Sequence, residues 1–181
     1  MRIISGTLKG RVVKGYDVDG TRPTMDRVKE SVFSMIQNKI EDATVLDLFA
    51  GSGNLGIEAI SNGSKVCYFN DLNKECIKVM NNNLKEFNIA DKSVVLNQDY
   101  KRCLDYLKEK ALSFDLIFLD PPYRMECLNE VIEKILENNL LKDKGLIICE
   151  ISYDYLYDFA GLEKIKKRKY GDKIVIILKN K

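Results

Sequence analysis

The sequence contains no histidine and no tryptophan, and it has only three prolines among 181 residues. Without histidine, the imidazole chemistry of Ser-His-Asp and Cys-His catalytic sites is excluded. A zinc site is disfavoured as well, because no two of the five cysteines lie at the short spacing of paired zinc ligands. An odd number of scattered cysteines is typical of reduced thiols that partly fill a core. We therefore expect no metal site.

Long hydrophobic runs are also missing. No stretch approaches the roughly 20 apolar residues that a membrane-spanning helix needs, and residues 1–15 lack the apolar centre of a secretory signal. The composition, 45% hydrophobic and 31% charged, is that of a globular protein. We expect a single domain over residues 1–181, a cytoplasmic location, no membrane partner, and a monomer without an obligate protein subunit.

From residue 44 onward, apolar strands alternate with amphipathic helices. This alternation predicts an α/β fold with a mostly parallel sheet, right-handed crossovers and helices on both faces. A "YGD" turn joins the last two of seven strands, and this hairpin predicts an antiparallel last strand at the sheet edge. The seven strands are predicted at "TVLDLF", "KVCYFN", "SVVLNQ", "FDLIFLD", "GLIICEI", "LEKIKKRK" and "KIVIILK".

Two segments precede this core of residues 44–181. Residues 1–20 are punctuated by glycines, which predicts a small β-hairpin extension of two short strands. Within residues 21–40, apolar side chains recur at helical spacing and predict a helix from about Thr24 to Lys39. Pro23 lies at its start, where proline is tolerated.

A glycine loop follows the first core strand in "VLDLFAGSGNLGIEA". Gly51, Gly53 and Gly56 match the GxGxxG pattern of nucleotide sites, which is weak when taken alone. Glycines let a ligand approach the backbone, and the helix that follows offers free N–H groups. Asp47, inside the strand, would repel a pyrophosphate. It suits a cationic ligand that carries an amino group, and S-adenosylmethionine is such a ligand.

Acidic residues also end the next two strands. Asp71 is placed to accept hydrogen bonds from ribose hydroxyls, although the adjacent Asn70 leaves the ribose ligand open, and Asp99 is placed to bind an adenine amine. Ordinary strand-end acids are the alternative. With neighbouring residues, the predicted cofactor-binding set is Thr24, Asp47, Phe49, Ala50, Gly51, Ser52, Gly53, Asp71, Leu72, Asp99 and Tyr100.

The fourth strand ends in Asp120, Pro121, Pro122 and Tyr123, which we predict to be the catalytic residues. In the expected strand order, this strand lies beside the first. Prolines fix φ and remove N–H donors, so the backbone carbonyls there can be held rigidly. The Asp120 carboxylate and the Pro121 carbonyl would then accept both hydrogens of an amino group on an aromatic base, on which Tyr123 would stack. Orienting that nitrogen requires no metal and no histidine base.

Basic residues form clusters near both ends of the chain, although the net charge is only +2. Such clusters favour a phosphate-binding surface, with a solvated polar face as the alternative. Arg22 and Thr24 are predicted to meet a cofactor carboxylate or an RNA phosphate, and Arg27 lies about one helical turn further on. The alternative is that Arg22 and Arg27 are surface residues or form ion pairs with Glu30 or Glu58. Tyr153, Tyr155 and Tyr157 are predicted to pack rather than to stack on bases. The predicted RNA-binding residues are Arg2, Lys9, Arg11, Arg22, Arg27, Arg124, Lys166, Lys167 and Arg168.

Five segments carry a resemblance to a known family: "RIISGTLKGRVV", "TRPTMDRVKESVF", "VLDLFAGSGNLGIEAISNG", "FLDPPY" and "KYGD". The chain resembles the bacterial 16S rRNA guanine-N2 methyltransferases, which are class I enzymes with a Rossmann-like fold. The resemblance implies S-adenosylmethionine as cofactor and the N2 amine of one guanine as target. It also implies 16S rRNA in the 30S subunit, or in an assembly intermediate, as partner.

Other functions remain to be weighed. A DNA adenine-N6 methyltransferase shares the "DPPY" chemistry, but this chain has no insertion large enough for a target-recognition domain. A non-catalytic RNA-binding protein that retains the fold is a second alternative. A cytosine-C5 methyltransferase is disfavoured because no proline precedes a cysteine. Asp47 and the lack of a catalytic histidine or Tyr-xxx-Lys arrangement disfavour an NAD-dependent dehydrogenase.

Overall fold

The computed structural model describes residues 1–15, 22–122, 127–151, 159 and 161–181, with residues 22–25 described by their backbone alone. The helices are α1 (Arg22–Ile36), α2 (Asn54–Ser61), α3 (Lys74–Glu86), α4 (Tyr100–Glu109) and α5 (Leu128–Glu137), with 3₁₀ turns at Gln37–Lys39 and Ala90–Lys92. The strands are β1 (Thr44–Asp47), β2 (Val66–Asn70), β3 (Ser93–Leu96), β4 (Phe114–Leu119), β5 (Leu141–Ile151), β6 (Leu162–Tyr170) and β7 (Lys173–Asn180). No helix in these ranges has the length and apolarity to span a membrane.

The strands form one seven-stranded sheet in the order β3-β2-β1-β4-β5-β7-β6. Strands β1 to β5 pair in parallel, as the alternation of strands and helices predicts. Because β2 and β4 flank β1 on opposite sides, the chain order reverses beside β1. Ligands of open α/β sheets bind in the crevice at such a reversal, outside the carboxyl ends of the strands.

The antiparallel strand lies inside the sheet rather than at its edge. Strand β7 pairs antiparallel with both β5 and β6, so its direction is as predicted while its predicted edge position is wrong. Every side chain from Ile174 to Leu178 in β7 is buried, whereas every side chain from Glu163 to Lys169 in β6 is exposed. The apolar strand therefore takes the interior position and the basic strand takes the edge, where exposed charges discourage pairing with another chain.

Helices cover both faces of the sheet, as predicted. We call the side covered by α1, α2 and α3 the front face; its buried residues include Val45, Phe118 and Val175. The back face is covered by α4 and α5, and its buried residues include Leu46 and Leu119. Neighbouring residues of one strand thus serve two separate cores, because successive side chains of a strand point to opposite faces.

Residues 1–15 form an amino-terminal arm that packs on α2. The arm contains one isolated antiparallel bridge, between Arg2 and Val12, instead of the two short strands predicted. The two sides of the arm are joined by backbone bonds, among them one from the Ile3 amide to the Arg11 carbonyl at 2.9 Å. The amides of Ile4 and Ser5 donate to the Glu58 carboxylate at 2.9–3.1 Å, so a buried carboxylate fixes the arm to α2.

Candidate active site

The loop between β1 and α2 uses its glycines for different purposes. Gly51 and Gly53 have φ angles of 53° and 86°, in the left-handed region that favours glycine. A Cβ atom added at Gly51 would meet no atom within 4 Å, so this position faces open space. A Cβ added at Gly56 would lie 2.2 Å from the Phe69 ring, so the last glycine of the pattern permits close packing of α2 on β2.

Asp47 lies under this loop, almost fully buried at the end of β1. Its Oδ2 accepts a hydrogen bond from the Gly56 amide at 2.9 Å, which ties the strand to the first turn of α2. The pKa of Asp47 is raised to about 7, mainly by burial and to a smaller extent by the negative charges of Asp120 and Asp71, while the Gly56 bond opposes the shift. Three carboxylates thus interact across the ends of β1, β2 and β4.

The end of β2 separates the roles of Asn70 and Asp71. Asn70 is buried, and its amide group bonds the backbone of Leu48 and Gln98 at 3.1–3.2 Å. Asp71 is partly exposed, and its Oδ2 accepts from the Gly51 amide at 2.8 Å. Asn70 therefore connects three strand ends, while the Asp71 carboxylate supports the glycine loop from the cavity side.

Two cavities meet above the glycine loop. The front cavity, of about 180 Å³, lies between α1 and the front face, and its walls include Lys29 and Glu150. The rim cavity, of about 370 Å³, lies above the ends of β2, β3 and β4. Both are lined by Phe49, Gly51 and Asp120. The rim cavity alone falls in the range of about 300–1,000 Å³ that is typical of small-molecule sites.

Asp120 follows β4 at the junction of the two cavities. Burial raises the pKa of its carboxyl group, and the nearby Lys173 ammonium lowers it. Lys173 begins β7, lines the rim cavity and forms an ion pair with Glu150 near the end of β5. Neither residue was among those predicted from the sequence. Glu150 had the same strand-end signal as the predicted acids, whereas Lys173 reaches the site only because β7 pairs with β5.

A second buried ion pair lies beside the front cavity, which Lys29 lines. Lys29 and Glu58 are almost fully buried, and their side chains are 2.9 Å apart. The Lys29 ammonium also donates to the Arg2 carbonyl and to the Asn54 side chain at 2.7–2.8 Å. Burial lowers the pKa of Lys29, and the Glu58 carboxylate opposes this shift. The pair joins α1, α2 and the amino-terminal arm beside the glycine loop, and the sequence pattern did not indicate it.

Comparison with known proteins identifies the family of this chain. The family model described as "Conserved hypothetical protein 95" matches residues 1–179. YlbH of Bacillus subtilis, which carries a provisional rRNA methyltransferase name, is 39% identical over 183 residues. The match covers 100% of this chain and 100% of YlbH. Ribosomal RNA small subunit methyltransferase D of Haemophilus influenzae is 38% identical over 157 residues, which cover 85% of this chain and 80% of that protein.

This chain belongs to the ribosomal RNA small subunit methyltransferase D family. A solved structure of yhhF from Escherichia coli, which carries a provisional methyltransferase name, superposes with a TM-score of 0.87 at 30% identity. The match covers 100% of this chain and 98% of yhhF. The predicted class I methyltransferase fold is therefore confirmed, and the two cavities lie where ligands of such sheets bind.

The structure brings most of the predicted cofactor residues of this family member together. The front cavity is lined by Asp47, Phe49, Ala50, Gly51 and Ser52, and the rim cavity by Phe49, Gly51, Asp71, Leu72, Asp99, Tyr100, Pro121 and Pro122. Gly53 lines neither cavity, because it is the N-cap of α2. Asp99 lines the rim and also caps α4 through the Lys101 amide at 2.9 Å. Several predicted residues lie outside the part of the chain that the structure describes. They are the side chains of Arg22 and Thr24, and residues Tyr123, Arg124, Tyr153, Tyr155 and Tyr157.

The predicted RNA-binding residues whose side chains the structure describes lie on exposed surfaces in two regions, one formed by the amino-terminal arm and α1 and the other by β6. On the arm, Arg2 donates to the Gly10 carbonyl at 2.9 Å, and Arg11 lies 5.5 Å from the centre of the Phe87 ring. Arg27 is exposed on α1, and the Glu58 considered as its ion-pair partner is bound to Lys29 instead. The exposed arm residue Lys9 completes the first region, and Lys166, Lys167 and Arg168 of β6 form the second.

Proposed function

We propose that this protein transfers a methyl group from S-adenosylmethionine to the N2 amine of a guanine in 16S rRNA. The observation that carries the proposal is the position of Asp120 and Pro121. Asp120 lines both cavities next to Gly51, and Pro121 lines the rim cavity. Acceptors for an amino group and space for a methyl donor therefore adjoin each other. The rRNA methyltransferase names of the relatives support the substrate class.

The residues of the rim and the glycine loop fit the cofactor. The open space at Gly51 admits a ligand against the backbone, and a partly exposed carboxylate, Asp71, lies beside it. Because the Asn70 amide is bound to backbone groups, we assign ribose binding to Asp71. Asp99 is assigned to the adenine amine, and the buried Asp47 supplies negative charge near the cationic end. When bound, S-adenosylmethionine supplies a methyl group on a positively charged sulfur.

The substrate amine is a poor nucleophile because its lone pair is delocalised into the base. Two acceptors, the Asp120 carboxylate and the Pro121 carbonyl, would bind its two hydrogens and favour a pyramidal nitrogen with an available lone pair. Holding that nitrogen in line is an orientation effect, for which well-placed groups supply about 7–11 kcal/mol. Burial raises the pKa of Asp120, and the Lys173 ammonium opposes this shift. A carboxylate with a raised pKa would be a better acceptor for the proton that the methylated amine releases. Water is the other acceptor for that proton.

A labelling experiment tests the proposal. The protein is incubated with methyl-labelled cofactor and, separately, with 30S particles, naked 16S rRNA, 23S rRNA and duplex DNA, and the modified nucleoside is identified. We expect N2-methylguanosine in 16S rRNA. Label in N6-methyladenine of DNA would favour the adenine methyltransferase instead, and RNA binding without label transfer would favour a non-catalytic binding protein.

The pKa of Asp47 predicts how cofactor binding depends on pH. Because this pKa is about 7, the carboxylate forms largely between about pH 6 and pH 8. A cationic ligand favours the carboxylate, so binding releases a proton and affinity rises with pH by up to about tenfold over this range. Isothermal titration calorimetry in buffers of different ionisation enthalpy measures both effects.

The matched variant for this prediction is Asp47→Asn, which keeps an acceptor for the Gly56 amide and removes the titration. The charged groups around Asp47 are Asp71 and Asp120, and the buried Cys67 stays neutral because burial raises its pKa. We expect the variant to lose most of the pH dependence. A flat profile in the unmodified protein would contradict the assignment of Asp47 to a cationic ligand.

A further inference from the structure

Strand β6 is an exposed edge strand with an unusual density of positive charge. All side chains from Glu163 to Lys169 are exposed, and most of them are basic. Charged side chains on an edge strand have a general role, because they discourage pairing with other strands. That role does not depend on which face of the sheet a side chain occupies. The distribution of the charges between the two faces can therefore indicate a second role, such as binding a polyanion on one face.

A β-bulge at Ile165 determines this distribution. Lys164 pairs with Leu178 and Lys166 pairs with Ile177, so Ile165 has no partner in β7. Leu178 belongs to the back core and Ile177 to the front core. Directly paired residues share a face of the sheet. Lys164 therefore lies on the back face and Lys166 on the front face, although the two are separated by a single residue.

The register beyond the bulge assigns the remaining basic residues. Arg168 pairs with Val175 of the front core. Lys167 and Lys169 pair with Ile176 and Ile174 of the back core. The front face of β6 thus carries Lys166 and Arg168, and the back face carries Lys164, Lys167 and Lys169. The basic cluster seen in the sequence is divided between two surfaces.

The front row of β6 leads to the active site. Tyr170 follows Arg168 on this face, packs against the front core and pairs with Lys173, which lines the rim cavity beside Asp120. Alternate residues of a strand are about 6.6 Å apart. Arg168 therefore lies one such step from Tyr170, and Lys166 lies two such steps from it. Both follow β6 away from the rim cavity.

Helix α1 adds a basic residue to the same side. The Tyr170 hydroxyl bonds the Ser31 hydroxyl of α1. Arg27 precedes Ser31 by four residues, so the two side chains are neighbours on the helix surface, and Arg27 is exposed. The acidic residue of the front row, Glu163, is neutralised by Lys179 at 3.0 Å. Arg27, Lys166 and Arg168 thus form a basic path that begins at the active-site end of β6.

The back face of β6 adjoins acidic residues of α5. A Cβ atom added at Gly161, just before β6, would lie 3.3 Å from the Leu136 side chain, so α5 passes beside the start of this strand. Glu133 is exposed one helical turn from Leu136, and Glu137 is exposed next to it. These carboxylates repel phosphate, so the back face is the poorer surface for a polyanion.

We infer that the backbone of the RNA substrate runs from the active site along the front face of β6, held by Lys166, Arg168 and Arg27. The inference rests on the proposed function and adds a face-specific path for the rRNA to it. Phosphate contacts of this kind position an RNA without reading its sequence. The back-face lysines Lys164, Lys167 and Lys169 act as edge protection and do not hold the substrate.

Two double variants of β6 test the inference at equal net charge. The front variant is Lys166→Gln with Arg168→Gln, and the back variant is Lys164→Gln with Lys169→Gln. Affinity for 16S rRNA is measured across a salt titration. We expect the front variant to bind about tenfold more weakly or worse. The slope of log K against log salt should fall by about 1.4, because each phosphate contact on a single strand contributes about 0.7 and two contacts are lost. The back variant should stay within about twofold of the unmodified protein.

Arg27→Gln provides an independent check on α1 and should lower the salt slope by about 0.7. Thermal melting and cofactor affinity should be unchanged in all three variants, because every altered side chain is exposed. If the front and back variants weaken rRNA binding equally, the inference is overturned, and the attraction depends on total charge and not on one face of β6. No weakening by the front variant would overturn it as well, while label transfer to 16S rRNA by that variant would leave the proposed function intact. If the unmodified protein neither binds nor methylates rRNA, the proposed function fails and the path fails with it.

Discussion

The Asp120→Ala variant should lose methyl transfer by about 10²–10⁴-fold in kcat, the range for a positioned group that handles a proton. Its affinity for S-adenosylmethionine should stay within about threefold. The reason is the placement of Asp120 at the junction of both cavities, where its carboxylate would bind the substrate amine rather than the donor. Single-turnover kinetics with saturating cofactor measure the first quantity, and calorimetry measures the second.

Asp120→Asn distinguishes charge from shape at this position. The amide keeps one acceptor oxygen, so we expect a smaller loss of kcat than in Asp120→Ala. Because the negative charge of Asp120 raises the pKa of Asp47, removing it should also move the pH midpoint of cofactor binding to lower pH. Asp143→Ala, at an exposed position of β5, controls for the loss of a carboxylate. An equal fall of kcat and cofactor affinity in Asp120→Ala would reassign Asp120 to the cofactor.

Gly51→Val should abolish cofactor binding while the sheet stays folded. The added side chain would enter the open space that Gly51 leaves in both cavities, where the ligand would approach the backbone. We expect the dissociation constant to rise at least about hundredfold, which corresponds to about 2.7 kcal/mol. Equilibrium binding of the cofactor and a thermal melt of the same sample separate lost binding from lost folding.

Gly10→Val is the matched control, because Gly10 also has a positive φ, of 88°, and also faces open space. Both variants carry the strain of a left-handed residue, about 1–2 kcal/mol, but Gly10 lies on the amino-terminal arm and lines neither cavity. Similar melting temperatures with loss of binding in Gly51→Val alone are the expected pattern. An unchanged dissociation constant in Gly51→Val would remove the loop from the site.

Much of the fold could be predicted from the sequence because its strongest signals are local. Strand β4 contains an apolar run from Leu116 to Leu119 that serves both cores, and the alternation of such runs with helices indicates a parallel sheet. The position of β7 was predicted wrongly, because strand order depends on pairing between distant segments. The difference in burial between Ile174–Leu178 and the basic strand β6 is the physical cause of the order that the sheet adopts.

The candidate site, like the fold, has features that could be predicted from the sequence and features that could not. Acids at strand ends are visible in the sequence, and Asp71 and Asp99 do line the rim cavity. The partners of buried groups are not visible, because they come from elements far apart in the chain. The ion pair of Lys29 in α1 with Glu58 in α2 is an example.

The bond between the amino-terminal arm and Glu58 affects the order of events during translation. Ile4 and Ser5 are 54 and 53 residues before their acceptor. At about 5–20 residues per second, the ribosome adds Glu58 roughly 3–10 seconds later. Until then the amides of Ile4 and Ser5 lack the acceptor that fixes them in the finished protein. The first segment of the nascent chain is therefore fixed to α2 only after about the first third of the 181 residues has been added.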